Sequence, residues 1–160
     1  MSQVLVATIT LLLLTACGAR HASPHNDIHG FYASPTDPSG IHFLPGRPRA
    51  NDRFEDALAS DTDRKALYEN LAYFSEGGAE FLFQVTGHTD DSECDGEACV
   101  ALSKRRAVGY MGWLVHHGFP QDRLIAPIGY GDSRPLELKV TEESRSRDRR
   151  AEINVVESGQ

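Results

Sequence analysis

Phe81, Phe83 and Val85 alternate with Leu82, Gln84 and Thr86, and further on Ala107, Tyr110, Met111 and Leu114 recur at helical spacing. A period of two giving way to a period of 3.6 means a strand that feeds a long helix. The spacing predicts a strand over 81–87 and a helix over 97–117 with Gly118 as its stop. Each has an apolar face that water would penalise, so a layered fold with helix packed on sheet follows. The flanking sequence extends the pattern. Ile41 to Leu44 reads as a short strand, Pro45-Gly46-Arg47-Pro48 as loop, and residues 54–59 as a helical turn or two. Asp61 is placed to cap a helix over 62–75, with Leu67, Leu71 and Phe74 at i, i+4 and i+7 and Gly77-Gly78 ending it. Residues 123–129 read as a strand that Pro127 marks as irregular or at an edge, and 150–156 as a final strand. With 131–147 taken as a polar excursion, the order is β-α-β-α-β-β. The expected fold class is α/β, an α+β sandwich with a single mixed β-sheet and helices packed on one face.

The N-terminus follows different rules. Residues 4–16, VLVATITLLLLTA, carry no charge, and at 13 residues they are too short to span a bilayer but suit the apolar core of an export signal. The run ends in Leu14-Thr15-Ala16-Cys17, which resembles the bacterial lipobox, where the cysteine is acylated after cleavage. The n-region Met1-Ser2-Gln3 departs from that pattern in having no Lys or Arg. Gly18 after the cysteine resembles the arrangement sent to the outer membrane. Residues 1–16 are therefore expected to be a lipoprotein signal peptide and 17–40 a lipidated Cys17 with a flexible tether, leaving 41–160 as the folded domain. The tether 18–40 has Pro24, Pro35 and Pro38 and no apolar period. Its reach when extended is about 75 Å. Those prolines also make unlikely the helix that would line up His21, His25 and His29 as metal ligands.

A net charge of −7 argues against nucleic acid as partner, since phosphate backbones are met by basic surfaces. With Cys17 acylated, Cys94 and Cys99 are the two remaining thiols, and an oxidising periplasm favours their pairing. The six-residue ring they would close contains Asp95-Gly96, a sequence that turns easily. His88 with Cys94 and Cys99 offers zinc too few ligands, and no placed nucleophile accompanies His88 and Asp90, so neither a cofactor nor an enzyme is expected.

Five segments carry a resemblance in the right order: Gly87-His88-Thr89-Asp90, Leu102-Ser103-Lys104-Arg105-Arg106-Ala107, Gly118-Phe119, Gly129-Tyr130-Gly131 with Pro135, and Asp148-Arg149-Arg150-Ala151-Glu152-Ile153. Over about residues 41–157 the chain resembles the outer membrane protein A-like domains, a family that includes peptidoglycan-associated lipoproteins and periplasmic domains of flagellar stators. The resemblance implies binding of the diaminopimelate in the peptidoglycan stem peptide, a zwitterion that needs one anion and one cation. Those roles fall on Asp90 and Arg106, a carboxylate for the ammonium and a guanidinium fork for the carboxylate. Thr89, Cys99 and Ser103 are expected beside them. Taken alone, Asp90 would cap a turn and Arg106 would be solvated or pair with a local acid.

The chain departs from the family at two places. Cys99 stands where members have an Asn lining the pocket, and Asp148 where they have an Asn before the Arg pair. On the second helix Cys99, Ser103 and Arg106 share one face, so a Cys94–Cys99 disulfide is expected to clasp the loop at the pocket mouth. Arg105, one step round the helix, is expected to face solvent, and Arg149 is as suited to a structural ion pair as to a ligand. The expected function is that of an outer-membrane lipoprotein, its domain facing the periplasm, that holds peptidoglycan and ties an envelope assembly to the wall. The alternative is a protein-interaction subunit of an envelope or secretion complex.

Overall fold

The computed structural model describes residues 40–76, 80–138 and 140–156. The apolar run 4–16, Cys17, the tether up to residue 39 and the Gly77-Gly78 stop lie outside the described residues. Four strands, β1 (Gly40–His42), β2 (Leu82–Gly87), β3 (Leu124–Gly129) and β4 (Arg150–Val156), form one mixed sheet in the order β1-β4-β2-β3. Three helices accompany them, α1 (Asp61–Glu76), α2 (Glu97–His116) and α3 (Glu142–Asp148). β2 pairs in parallel with β3 and antiparallel with β4, and β4 is antiparallel to β1. The parallel pair needs a crossover, and α2 provides it.

Register follows side-chain parity. Phe83 faces Val155, Val85 faces Ile153 and Gly87 faces Ala151 across β2 and β4. Phe83, Val85, Ala151 and Ile153, with Ile41 and Phe43, join Leu67 and Phe74 of α1 and Ala107, Tyr110 and Leu114 of α2 in one buried cluster. The opposite parity carries polar groups that satisfy each other. Gln84 donates from Nε2 to the Ala126 carbonyl at 3.0 Å, and Asn154 donates from Nδ2 to Thr86 at 3.1 Å. Phe81, expected on the apolar face, lies just before β2 and is exposed. β3 is an edge strand, and its pairing with β2 is irregular between Gln84 and Thr86, as Pro127 foretold.

Three expectations need correction. β1 begins at Gly40, one residue before the expected strand. Ser60, not Asp61, caps α1: its hydroxyl accepts from the Asp63 N–H at 3.1 Å, and the Asp63 carboxylate in turn accepts from His42 N–H at 2.9 Å, tying helix to β1. The helical turn expected over 54–59 is present, as a 3-10 helix over Phe54–Ala57. The excursion 131–147 contains α3, making the order β-α-β-α-β-α-β. Seven polar residues gave α3 no apolar period to find, but its start has a capping box in which Thr141 and Ser144 exchange hydrogen bonds.

Candidate ligand-binding site

β2 and β3 are parallel, so both end on the same side of the sheet, where the loops that follow them meet the first turns of α2 and α3. Two glycines let α2 approach. A Cβ on Gly87 would lie 1.9 Å from the Ser103 carbonyl oxygen, and one on Gly129 would lie 2.4 Å from the Lys104 nitrogen. Ser103 then joins helix to loop: its hydroxyl donates to the Val100 carbonyl and accepts from Gly131 N–H, both at 2.9 Å. Ser103 is fully buried, so this expected ligand neighbour is occupied in holding the loop.

Arg106 is also fully buried. Its guanidinium grips Glu93 bidentately, Nη1 to Oε1 at 2.6 Å and Nη2 to Oε2 at 2.8 Å. The remaining donors reach the His88 carbonyl at 2.7 Å, the Arg47 carbonyl at 2.8 Å and, more weakly, the Leu44 carbonyl at 3.5 Å. All five N–H groups of the fork are thus engaged. Glu93 is held as firmly, accepting Gly46 N–H at 2.7 Å and Asp90 N–H at 3.2 Å.

Asp90 has a different partner. Its Oδ1 accepts Ser92 N–H at 2.6 Å, the Ser92 hydroxyl at 2.8 Å and Glu93 N–H at 2.9 Å, folding the loop back on itself. Its Oδ2 receives Arg149 Nη1 at 2.7 Å, and Arg149 Nη2 reaches Glu142 at 2.8 Å. Burial opposes the charged form of Asp90, but the bonds from Arg149 and Ser92 together outweigh it and hold the carboxyl below its usual range. Asp90 and Arg106 therefore do not stand as an open anion–cation pair; each is neutralised inside the protein. Glu93 and Arg149 are the partners that sequence reading missed or left open.

Cys94 and Cys99 form the expected disulfide, with Cα atoms 5.2 Å apart, and Gly96 makes the turn with φ of +49°. The bond rules these sulfurs out as thiolate ligands for zinc. Cys99 is buried and packs by Gly131 rather than lining an open cavity. Arg105 is exposed as expected, with its Nε donating to the Pro48 carbonyl at 3.1 Å.

A cleft borders the same loop at Thr89 and Asp91. Its volume is about 140 Å³, and it is bounded by Thr89, Asp91, Asp132, Pro135, Glu137, Leu138, Val140, Ser144, Arg145 and Asp148. Four carboxylates and one guanidinium line it, and three of the carboxylates are paired with arginines, Asp91 with Arg145, Glu137 with Arg147 and Asp148 with Arg150. Burial, joined by the charges of Asp90 and Asp91, raises the Asp148 carboxyl even though Leu136 N–H and Arg150 favour its ionised form. Thr89 is buried and forms part of the wall. Its hydroxyl has no hydrogen-bond partner among the described residues, a costly arrangement unless something outside the chain meets it.

His88 is buried and stacked on Tyr130 at 5.5 Å. Burial first, then the positive charges of Arg150, Arg134 and Arg106, lower its pKa from 6.5 to about 2. The folded state thus refuses a proton that the unfolded chain accepts, so stability is whole above pH 6.5 and falls as pH drops towards 2. At pH 5 the expected loss is about 2 kcal/mol relative to pH 7. Urea titrations at the two pH values check this, and His88→Asn should remove that part of the slope.

The profile of the OmpA family matches residues 55–149. The chain is 38% identical over 87 residues to outer membrane porin F of Pseudomonas fluorescens, covering 54% of this chain and 26% of that protein. It is 31% identical over 78 residues to motility protein B of Bacillus subtilis, covering 47% and 30%. The chain thus spans under a third of the length of these curated relatives. Among solved structures, the peptidoglycan-associated lipoprotein of Burkholderia pseudomallei superposes with a TM-score of 0.59 at 21% identity, covering 76% of this chain and 96% of that one. The C-terminal domain of Helicobacter pylori MotB gives 0.61 at 20% identity, covering 75% and 85%. The fold is shared with both, and the family match over more than half the chain establishes that this protein belongs to the OmpA family, whose domains are non-enzymatic.

Proposed function

We propose that the chain is an outer-membrane lipoprotein, anchored through Cys17 with its domain in the periplasm, that binds peptidoglycan non-covalently through the diaminopimelate of the stem peptide. Family membership supports this reading, as do the names of relatives that share the fold, a peptidoglycan-associated lipoprotein among them. The observation that carries it is the buried Thr89 hydroxyl, unpartnered among the described residues, in the wall of a cleft lined by four carboxylates. An ammonium group satisfies both features, because it brings positive charge and several donors. Leu138 and Val140, exposed at the cleft, suit the aliphatic carbons that follow the ammonium. Asp90 supports the same end of the ligand, and Arg106 is the cation for its carboxylate. The saturated state of Arg106 favours the second reading, a protein-interaction subunit of an envelope complex that keeps the fold without gripping the wall.

Cosedimentation with purified sacculi tests the assignment. Thr89→Val keeps the shape and removes the hydroxyl, so its melting temperature should match or exceed that of the parent while sacculus affinity drops about tenfold. Unchanged pelleting of Thr89→Val would remove the cleft from the site.

A further inference from the structure

We infer that Glu93 is a built-in carboxylate ligand: it closes a carboxylate-binding cradle around Arg106, which opens when a ligand carboxylate displaces it. This rests on the peptidoglycan reading for the identity of the natural ligand, but not for the existence of the cradle.

The cradle has parts from three places in the chain. Arg106 on α2 supplies the fork, Gly46 in the loop after β1 supplies one N–H, and Asp90 after β2 supplies another. Three backbone carbonyls, those of His88, Arg47 and Leu44, hold the guanidinium from its other edges. The Phe43 ring packs against it with the guanidinium carbon 5.1 Å from the centroid. The carbonyls and the ring meet the guanidinium directly, without Glu93 between them. The cation is therefore fixed by the scaffold, and Glu93 is the one charged member that arrives on a loop.

That loop is tied to the other half of the site. The Asp90 carboxylate collects N–H groups of Ser92 and Glu93, so its bonds help to hold the turn that delivers Glu93. A ligand ammonium competing for Asp90 weakens the turn, and a ligand carboxylate then replaces Glu93 at Arg106. A zwitterion can do both, whereas an isolated amine or an isolated acid can do only one. Cys94, the next residue, is bonded to Cys99 in the first turn of α2, so the swing is confined to residues 91–93. The arrangement lowers apparent affinity by the fraction of time the cradle is closed. In exchange, it never leaves a buried guanidinium uncompensated.

Two experiments on the full chain test this. First, Glu93→Ala empties the cradle, and sodium acetate should raise its melting temperature, or restore folding, by several degrees more than sodium chloride at equal ionic strength. The parent should show no such difference. Absence of an acetate-specific effect in Glu93→Ala overturns the proposal. Second, Glu93→Gln keeps the side-chain volume and removes the charge. It should pellet with sacculi at least tenfold more tightly than the parent, even though it is less stable. A purely structural Glu93 predicts the reverse, and weaker or equal pelleting by Glu93→Gln, where the parent pellets, overturns the latch. If acetate rescues Glu93→Ala but neither protein pellets, the cradle stands and the peptidoglycan reading fails.

Discussion

Arg106→Ala should lose about 3–5 kcal/mol of stability, because the substitution strands the Glu93 carboxylate in a site where its side chain is 2% exposed. That is a large part of what a domain of this size has in total. The melting temperature should fall by roughly 10–20 °C. The cause is specific and separable. If the loss comes from an uncompensated buried charge, Glu93→Ala placed in the same chain should return much of it, since removing both partners leaves no orphan. A coupling energy of about 2–3 kcal/mol from the double-mutant cycle, measured by urea unfolding, is the expected outcome. An Arg106→Ala variant that loses less than about 1 kcal/mol would mean that water reaches the pair, contrary to its burial. The same cycle bears on binding: Arg106→Ala should also lose sacculus affinity, and the double variant should recover stability without recovering affinity.

Gly87→Ala is expected to be at least as damaging, for a steric reason alone. The added methyl would sit 1.9 Å from the Ser103 carbonyl oxygen and 2.8 Å from its carbon, and both belong to helix backbone that cannot rotate away. α2 must move off β2, which costs the packing of Ala107 and Tyr110 against the sheet and the Ser103 bond to Gly131. A loss above about 3 kcal/mol, or failure to fold, is expected at a site this tight. Gly112→Ala is the control. It lies in the same helix with nothing among the described residues within 4 Å of the new Cβ, so it should be neutral or stabilising by up to about 1 kcal/mol. Equal stability of the two variants in thermal melts would contradict the close approach of helix and strand.

These expectations show why some of the molecule was legible in sequence and some was not. β2, α2 and β4 announced themselves because one face of each meets the core, and burial on one face leaves a period. α3 did not, because its seven residues present polar side chains. A capping box holds its start, and ion pairs from Arg145 to Asp91 and from the following Arg149 to Asp90 hold its end. The disulfide was readable from cysteine count and the turn at Gly96. The motif positions Thr89, Asp90 and Arg106 were readable too, and they do gather at one end of the sheet.

What sequence could not show was who pairs with whom. The resemblance set Asp90 opposite Arg106, yet the charged partners are Arg149 and Glu93, 59 and 13 residues away in sequence. The plainer readings of the two residues, a turn cap for Asp90 and a local acid for Arg106, describe the contacts that the fold shows. Glu93 carried a usable signal: it lies three residues beyond Asp90, where a carboxylate cap turns the chain back towards the helix that bears Arg106. Ser103 shows the opposite limit. Its helical face was predicted correctly, but a face says nothing about whether the neighbour is a ligand or the Gly131 backbone.

The central property proposed for this protein is recognition of a zwitterion at the wall. The direct measurement is cosedimentation of the full chain with purified sacculi, with and without free diaminopimelate as competitor. The protein is expected to pellet and millimolar diaminopimelate to release it, while an amine or a carboxylic acid alone at the same concentration should not. Protein that stays in the supernatant, or that pellets indifferently to diaminopimelate, would contradict zwitterion recognition.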